Sequence, residues 1–527
     1  MIQSREYQLQ HINDIIRKLS TNRKVCAQLA TGGGKTVEFS LISKRFIDKF
    51  GKGVLILVHR KELMEQTRQT IVNMHGINPT LIVAGTNYIN KSSVYIGMVE
   101  SYVKRHERMR DIGLVIIDEC HIATFNKVHE LFTHEFIIGF TATPKSSNKR
   151  EPLNKYYNAI SVCPQDINGL IKLGFLAQNI TRCPTEIVDL TKLKLVAEEY
   201  DSFQMGKEFS NPKFVENTVM AYARWGEGKK TMIYNVNVEH SLLVTRCFNT
   251  CGIPCRHVDA DSNDRFEVFK WFKETPNAVM CNVGIATVGY DEPTIETIIV
   301  NRATKSMPLW LQMCGRGGRK IDAAFISTKQ KEYPYPLKEK YLFTIIDLGG
   351  NGIEHLDWNA ERDWEDIFNN PDVIRNGVAP VKTCPKCEGL VHAATITCKL
   401  LMPDGSVCGY EWDRRKAQEE REMQEFVTIT DNIDIESLIK IQDEKQYKKY
   451  FVMYQMGRDI VDKLYSLGKQ LNDKQVEIVY NQYFSLVEKW HKENYPHERF
   501  MVDWHKWETK NHFMNVFKQK FSLQKTA

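Results

Sequence analysis

The chain has 527 residues, of which 42% are hydrophobic and 26% charged, and it carries a formal net charge of +6. This is ordinary globular composition with apolar material for several cores, and it excludes a low-complexity chain. The mildly basic balance permits a polyanionic partner without requiring one.

The stretch MIQSREYQLQ at the start is polar and lacks the apolar run of a signal peptide. No segment approaches the ~18–20 apolar residues that cross a bilayer, so no membrane partner is expected. Most of the 13 cysteines stand singly inside strand-like or helix-like runs. That reads as a reducing, cytoplasmic compartment with free, mostly buried thiols.

Up to about residue 350, short apolar runs alternate with amphipathic stretches. The first group of strand candidates is Val25–Leu29, Val54–Val58, Val94–Met98, Leu114–Ile117 and Phe136–Phe140. The second is Thr231–Tyr234, Ala278–Asn282, Thr297–Val300 and Leu342–Ile346. Helix-like segments lie between them, and a mixed region near 145–225 separates the groups. The alternation predicts an α/β fold with two doubly wound parallel-sheet domains.

The first candidate strand runs into ATGGGKT, Ala30–Thr36. Strand, glycine-rich turn and helix in that order is the setting of a phosphate loop. Gly32, Gly33 and Gly34 let the backbone curl close to phosphates and turn N–H groups inward, with Thr31 in the same loop. The following helix aims its positive end at the same anion. Lys35 is placed to neutralise β- and γ-phosphate charge, and the Thr36 hydroxyl to bind Mg²⁺. The strict GxxxxGK[ST] pattern asks for glycine at the position of Leu29.

The strand Leu114–Ile117 stops at two acids, Asp118 and Glu119. Ligands of parallel sheets collect at the carboxyl ends of the strands, so these acids should face the phosphate loop. Asp118 is expected to hold Mg²⁺, and Glu119 to orient and deprotonate an attacking water. Two adjacent carboxylates at a dry strand end require a compensating cation.

The second group leads into QMCGRGGRK, Gln312–Lys320. Arg316 and Arg319 stand three apart, so on a helix they would share one face. Guanidinium groups suit the charge that builds on a γ-phosphate in the transition state.

After residue 350, TCPKCEG holds Cys384 and Cys387, and Cys398 and Cys408 follow. Four thiolates would make a closed, tetrahedral, structural Zn²⁺ site. The spacing from Cys398 to Cys408 exceeds a usual second knuckle, which leaves His392 as an alternative ligand and metal-free thiols as an alternative reading. Arg414–Glu425 reads as a charged, solvated helix face. From about residue 441, Tyr, Phe and Trp alternate with Lys. Such residues either stack on bases or form the core of an amphipathic helical bundle, and the bundle is the favoured reading.

Taken in order over about residues 1–350, these motifs resemble the superfamily 2 helicases and translocases, and within them the compact bacterial and phage DNA helicases. REYQ (Arg5–Gln8) resembles the adenine-reading motif, with Tyr7 and Gln8 at the base. ATGGGKT resembles motif I, HRKELMEQT (His59–Thr67) motif Ia, DECH (Asp118–His121) motif II and TAT (Thr141–Thr143) motif III. NVGIATVGYDEP (Asn282–Pro293) resembles motif V, with Gly289 and Asp291 in its usual nucleotide-binding places. RATKSMPLWLQMCGRGGR (Arg302–Arg319) runs into motif VI, which contains Gln312, Arg316 and Arg319. One departure is Met98, where the family often has threonine in motif Ib.

The resemblance implies a cleft between two RecA-like domains, 1–165 and 166–350, followed by a zinc-ribbon-like module, 351–415, and a helical domain, 416–527. It implies an ATP hydrolase using ATP and Mg²⁺, with Lys35, Asp118, Glu119, Gln312, Arg316 and Arg319 as its catalytic set. His121, Thr141 and Thr143 would couple the nucleotide state to the strand-binding face. Arg60, Thr304 and Ser306 would touch the nucleic-acid backbone unless they do local capping work, and His59 is as readily a packed strand-end residue. The expected function is movement on, or unwinding of, DNA in replication, recombination or repair in a bacterial or phage-infected cell. RNA remodelling, a restriction-system motor subunit and an ATP-switched adaptor are the alternatives.

Overall fold

Strands such as GVLILV and IGLVIID are apolar on both faces, as strands must be when helices cover a parallel sheet on both sides. The computed structural model describes residues 4–86, 89, 91–104, 111–146, 148, 150–184, 193–196, 199–284, 290–371, 381–412, 435–446, 448, 450–466 and 473–522. The chain forms two units, Met1–Tyr410 and Glu411–Ala527.

The first unit contains two parallel sheets. One is built from β1 (Lys24–Gln28), β2 (Gly53–Val58), β3 (Thr80–Ile82), β4 (Val94–Met98), β5 (Ile112–Asp118), β6 (Phe136–Thr141) and β7 (Ala159–Val162), in the order β3-β4-β2-β5-β6-β1-β7. After β8 (Gln178–Arg182), a short ribbon of β9 (Leu195–Val196) and β10 (Glu199–Tyr200) intervenes. The other sheet joins β8 to β11 (Thr231–Asn235), β12 (Cys255–Val258), β13 (Val279–Asn282), β14 (Thr297–Asn301) and β15 (Leu342–Asp347), in the order β12-β13-β11-β14-β15-β8.

Every strand the sequence predicted is present. Within the two parallel sheets, the strands it did not predict, β3, β7, β8 and β12, are the edge strands. An edge strand has only one strand neighbour, so QNITR and CRHV need not be continuously apolar. Parallel registry brings the strand ends to one rim. Gln28 of β1 lies beside Thr141 of β6, and Asp118 of β5 beside Phe140.

A small hairpin, β16 (Val381–Thr383) with β17 (Leu390–His392), follows near the end of this unit. The second unit is helical, with helices Ile435–Glu444, Phe451–Ser466, Asp473–Asn494 and Val502–Ser522. Its core gathers Met453, Met456, Tyr480, Tyr483, Trp490 and Phe513. Tyr483 donates its hydroxyl to the Met453 carbonyl at 2.8 Å, which satisfies the one polar atom it buries. Most of the described aromatics of this region thus form a core, whereas Trp504 and Trp507 are exposed. The charged stretch Arg414–Glu425 lies outside the described residues. No described helix is long and apolar enough to cross a membrane.

Gly139 sits in β6 between Cys26 and Ile117 of the flanking strands. A methyl group there would lie 2.2 Å from the Tyr157 hydroxyl oxygen and 2.8 Å from Cys120 Cβ. Gly139→Ala is therefore expected to cost about 1–3 kcal/mol of stability, seen as a lower denaturation midpoint. An unchanged midpoint would show that the sheet has room at this point.

Candidate active site

The phosphate loop begins where β1 ends. Gly32 and Gly34 adopt φ of +86° and +90°, a left-handed backbone that favours glycine. Leu29, in place of the usual glycine, is fully buried. A Cβ added to Gly33 would lie 2.7 Å from Leu29 Cδ1, so the leucine packs under the loop and uses the room that Gly33 leaves. Lys35 and Thr36 open the helix Lys35–Phe50.

The N-terminal helix braces this loop. Tyr7 donates its hydroxyl to the Gly33 carbonyl at 2.7 Å, and Gln8 Nε2 donates to the same oxygen at 3.0 Å. Gln8 Oε1 accepts from the Arg5 backbone N–H at 2.9 Å. The Arg5 guanidinium lies over the Phe175 ring, 3.8 Å from its centroid. Phe175 was not among the sequence candidates, because nothing in local spacing signals an aromatic partner so far along the chain.

Asp118 is the last residue of β5, and Glu119 follows with φ of +53°. That conformation is costly for a residue with a Cβ. It is held by hydrogen bonds on either side, Cys120 N–H to the Phe140 carbonyl at 3.0 Å and Ile122 N–H to the Glu119 carbonyl at 3.0 Å. The turn delivers the Glu119 carboxylate to Lys35, whose Nζ lies 2.5 Å from Oε1. Burial, reinforced by the neighbouring Glu119, pushes Asp118 up to about 7 against the pull of Lys35. Burial acts the same way on Glu119, but the Lys35 ammonium and then His121 outweigh it and hold Glu119 below the usual carboxylate range.

Glu119 Oε2 is buried without a hydrogen bond, 3.4 Å from His121 Nδ1. A fixed carboxylate with one oxygen to spare is the acceptor that an attacking water needs. The Asp118 carboxylate, driven toward its neutral form by burial, suits a hard cation such as Mg²⁺, which would favour the ionised carboxylate, and the Thr36 hydroxyl follows Lys35 on the same helix turn.

The second sheet supplies the rest. Helix Met307–Gly315 brings Gln312 Nε2 to 3.3 Å from His121 Nε2. Burial keeps the His121 ring in its neutral form although Glu119 pulls the other way. Nε2 then accepts from Gln312, and Nδ1–H donates to Thr141 Oγ1 at 3.0 Å. Thr141 in turn donates to the Thr143 carbonyl at 3.0 Å. One hydrogen-bonded chain thus joins Gln312, His121, Thr141 and Thr143 across the two sheets.

Arg316 and Arg319 do not share a helix face. The helix ends at Gly315 and the chain turns; Gly317 and Gly318 let the turn pack closely, since a Cβ there would lie 2.2 Å from Phe343 and 2.6 Å from Trp358 respectively. Arg316 donates to the Tyr290 carbonyl at 2.7 Å. Arg319 is gripped by Asp291, with Nε to Oδ1 at 3.0 Å. Burial would raise Asp291, but Arg319 and then Arg316 outweigh it and hold it below its ordinary value. The arginine segment lies against the phosphate loop. A Cβ on Gly32 would be 3.3 Å from Arg319 Nη1, and one on Gly315 would be 3.2 Å from Thr31 Cγ2. Gly289 lies outside the described residues.

Residues 1–146 match the family described as type III restriction enzyme, res subunit, and residues 214–320 match the helicase conserved C-terminal domain. Together the two matches support a superfamily 2 helicase. A 51.5 kDa protein of a Lactococcus phage is 26% identical over 430 residues, which cover 80% of this helicase and 85% of the phage protein. A Saccharomyces cerevisiae protein assigned as the ATP-dependent helicase IRC3 is 28% identical over 341 residues, 60% of this chain. The match spans 49% of the yeast protein, about half its length. A fragment assigned as an HsdR subunit of a type I restriction enzyme from Vibrio vulnificus shares the fold, with a TM-score of 0.53 at 23% identity over 68% of this chain and 66% of that one. The protein is an ATP hydrolase of the nucleic-acid-dependent class, for which ATP and Mg²⁺ are the implied substrate and cofactor.

The helicase's expected nucleic-acid contacts are differently placed. Arg60 is the half-buried residue that precedes helix Lys61–His75. Thr304 is buried, and its hydroxyl donates to Glu199 Oε2 at 2.6 Å. Ser306 Oγ accepts from the Leu309 N–H at 3.3 Å and caps helix Met307–Gly315. Both hydroxyls do internal work here, the buried Thr304 satisfying itself on Glu199 and the half-buried Ser306 acting as a helix cap. His59 is packed edge-on to Phe125, and burial lowers its pKa to about 4.

The four cysteines converge. The sulfurs of Cys384, Cys387, Cys398 and Cys408 lie within 4.8 Å of one another, all buried. The long spacing between the last two is absorbed by a hairpin. Cys408 N–H donates to the Leu400 carbonyl at 2.9 Å and Cys398 N–H to the Tyr410 carbonyl at 2.8 Å, which brings the two thiols level. His392 is exposed and accepts from Ala394 N–H at 3.1 Å, outside the cluster. Four buried free thiols on a rigid frame fit a tetrahedral Zn²⁺ ion, which would hold them as thiolates. Arg182 at the edge of the second sheet anchors this module through the Cys387 carbonyl at 2.9 Å.

Metal analysis of the purified helicase is expected to find about one Zn²⁺ per chain, lost in Cys384→Ser/Cys408→Ser. Chelation should make residues 381–412 sensitive to protease. Metal-free protein with unchanged protease resistance would overturn the assignment.

Proposed function

We propose that this helicase is a DNA motor that couples ATP hydrolysis to movement on, or unwinding of, DNA in replication, recombination or repair. In this reading residues 1–165 and 166–350 are two RecA-like domains whose rims close on ATP. The observation that carries the proposal is the chain Gln312–His121–Thr141–Thr143, which ties the acids of one sheet to the arginine segment of the other. The restriction-enzyme description of the family matched by residues 1–146 supports DNA over RNA.

The residues suggest how the reaction proceeds. Lys35, paired with Glu119 in this structure, exchanges that partner for the β- and γ-phosphates, and Glu119 is released to take a proton from the attacking water. Arg316 and Arg319 neutralise the charge that develops on the γ-phosphoryl oxygens. Asp118 and Thr36 would hold Mg²⁺, whose charge would add to that neutralisation. Closure positions all of these groups at once, so hydrolysis depends on how the two rims are set.

A second reading, the motor subunit of a restriction system, is favoured by the same family description. Displacement of a third strand from long duplex DNA, without strand separation at a fork, would select it.

Steady-state ATPase activity is expected to rise strongly with single-stranded or duplex DNA and to fall by about 10²–10⁴ in Glu119→Gln. Equal or greater stimulation by RNA would move the function to RNA remodelling. Indifference to both would leave an ATP-switched adaptor. Gln312→Leu is expected to keep ATP affinity while reducing DNA stimulation of kcat to within about threefold of the basal rate. Full stimulation in that variant would remove the hydrogen-bonded chain from the coupling.

A further inference from the structure

Lys340 lies just before β15 and is only 5% exposed. Its backbone pairs with Ile321 in both directions, at 2.8 and 3.0 Å. Its ammonium group donates to the carbonyl oxygens of Pro293 at 2.6 Å, Ile295 at 2.6 Å and Gly317 at 3.0 Å. Three acceptors satisfy all three N–H donors. Burying a lysine is expensive, and an apolar side chain would fill the same space at lower cost. Burial pushes the Lys340 ammonium down, against the pull of Glu296 and Glu292, while its three carbonyl acceptors favour the protonated form.

The acceptors are informative. Gly317 stands between Arg316 and Arg319. Pro293 and Ile295 belong to the stretch that runs from Tyr290 and Asp291 into β14, and the Tyr290 carbonyl and the Asp291 carboxylate hold the two guanidinium groups. Side chains therefore tie the arginines to this stretch, and Lys340 ties their backbone to it. Lys230 offers a contrast. It is equally buried, and it donates to the Phe272 carbonyl at 2.5 Å, the Lys273 carbonyl at 3.0 Å and the Tyr335 hydroxyl at 2.8 Å. None of these belongs to the arginine turn.

We propose that Lys340 is a positioning residue for ATP hydrolysis. It fixes the Arg316–Arg319 turn to the Tyr290–Ile295 stretch, so that both guanidinium groups are delivered as one rigid body. The inference rests on the proposed action of Arg316 and Arg319 at the γ-phosphate. Charge-assisted hydrogen bonds to carbonyls are strong and directional, and a small misplacement of a catalytic group costs up to about 10² in rate.

The test is DNA-stimulated ATPase activity of the full chain, with kcat and KM separated, for Lys340→Met, Lys230→Met and Arg316→Ala. Lys340→Met is expected to lower kcat by about 10–100-fold with KM for ATP within about twofold of the parent. Lys230→Met should lose thermal stability with kcat within about twofold. Should Lys340→Met not fold, Lys340→Gln, which keeps two donors but lacks the charge and the third donor, is expected to lower kcat by a smaller factor, about 3–10-fold, and an unchanged kcat there would overturn the role. If Lys340→Met keeps full kcat while Arg316→Ala loses it, the role of Lys340 is overturned and that of the arginines stands. If Arg316→Ala also keeps full kcat, the arginine reading falls and takes this inference with it. A drop in kcat equal in the two lysine variants would show a general effect of burial and overturn the assignment.

Discussion

Asp118 and Glu119 stand side by side where β5 leaves the sheet, and two carboxylates in so dry a place need positive charge close by. Lys35 supplies it at 2.5 Å from Glu119. That pair explains why a glycine-rich loop must follow β1: the loop has to put a lysine on the first turn of a helix facing the end of β5. The same need explains the left-handed backbone of Glu119, which aims one carboxylate at the lysine. Asp118 remains the less compensated acid, which is why burial drives it toward its neutral form and why a divalent cation belongs beside it.

The second sheet extends the same electrostatic arrangement. Arg316 and Arg319 are long, charged and partly desolvated, and each is held before any substrate contact, one by a carbonyl and the other by Asp291. Preorganised donors need no reordering at the moment of reaction. Gly317 and Gly318 make this arrangement compact, because the turn rests directly on Phe343 and Trp358. A helix could not have placed both guanidinium groups against the Tyr290–Asp291 stretch while lying so close to those rings.

The cysteine module and the helical unit answer a different constraint. The hairpins around Cys384–Cys408 bury few apolar side chains, so a metal suits them as the main source of stability. The helical unit needs none, since its aromatic residues fill a core of their own.

The sequence by itself determined the α/β class, the central strands of both sheets, the phosphate loop and the acidic pair, because each is written in contiguous residues with a strong local pattern. Even the departure at Leu29 was visible there. It missed the edge strands β3, β7, β8 and β12, whose partial cover leaves a weaker apolar signal. It also allowed Arg316 and Arg319 to share a helix face, since spacing of three reads the same way whether or not the chain turns. Only the tertiary structure decided that Arg5 stacks on Phe175, that Gln312 meets His121, that Thr304 turns inward to Glu199, and that Lys340 ties two distant stretches through carbonyl oxygens. Those contacts join residues far apart in the chain through backbone atoms and ring faces that every sequence possesses. No residue type announces them, and only packing brings them together.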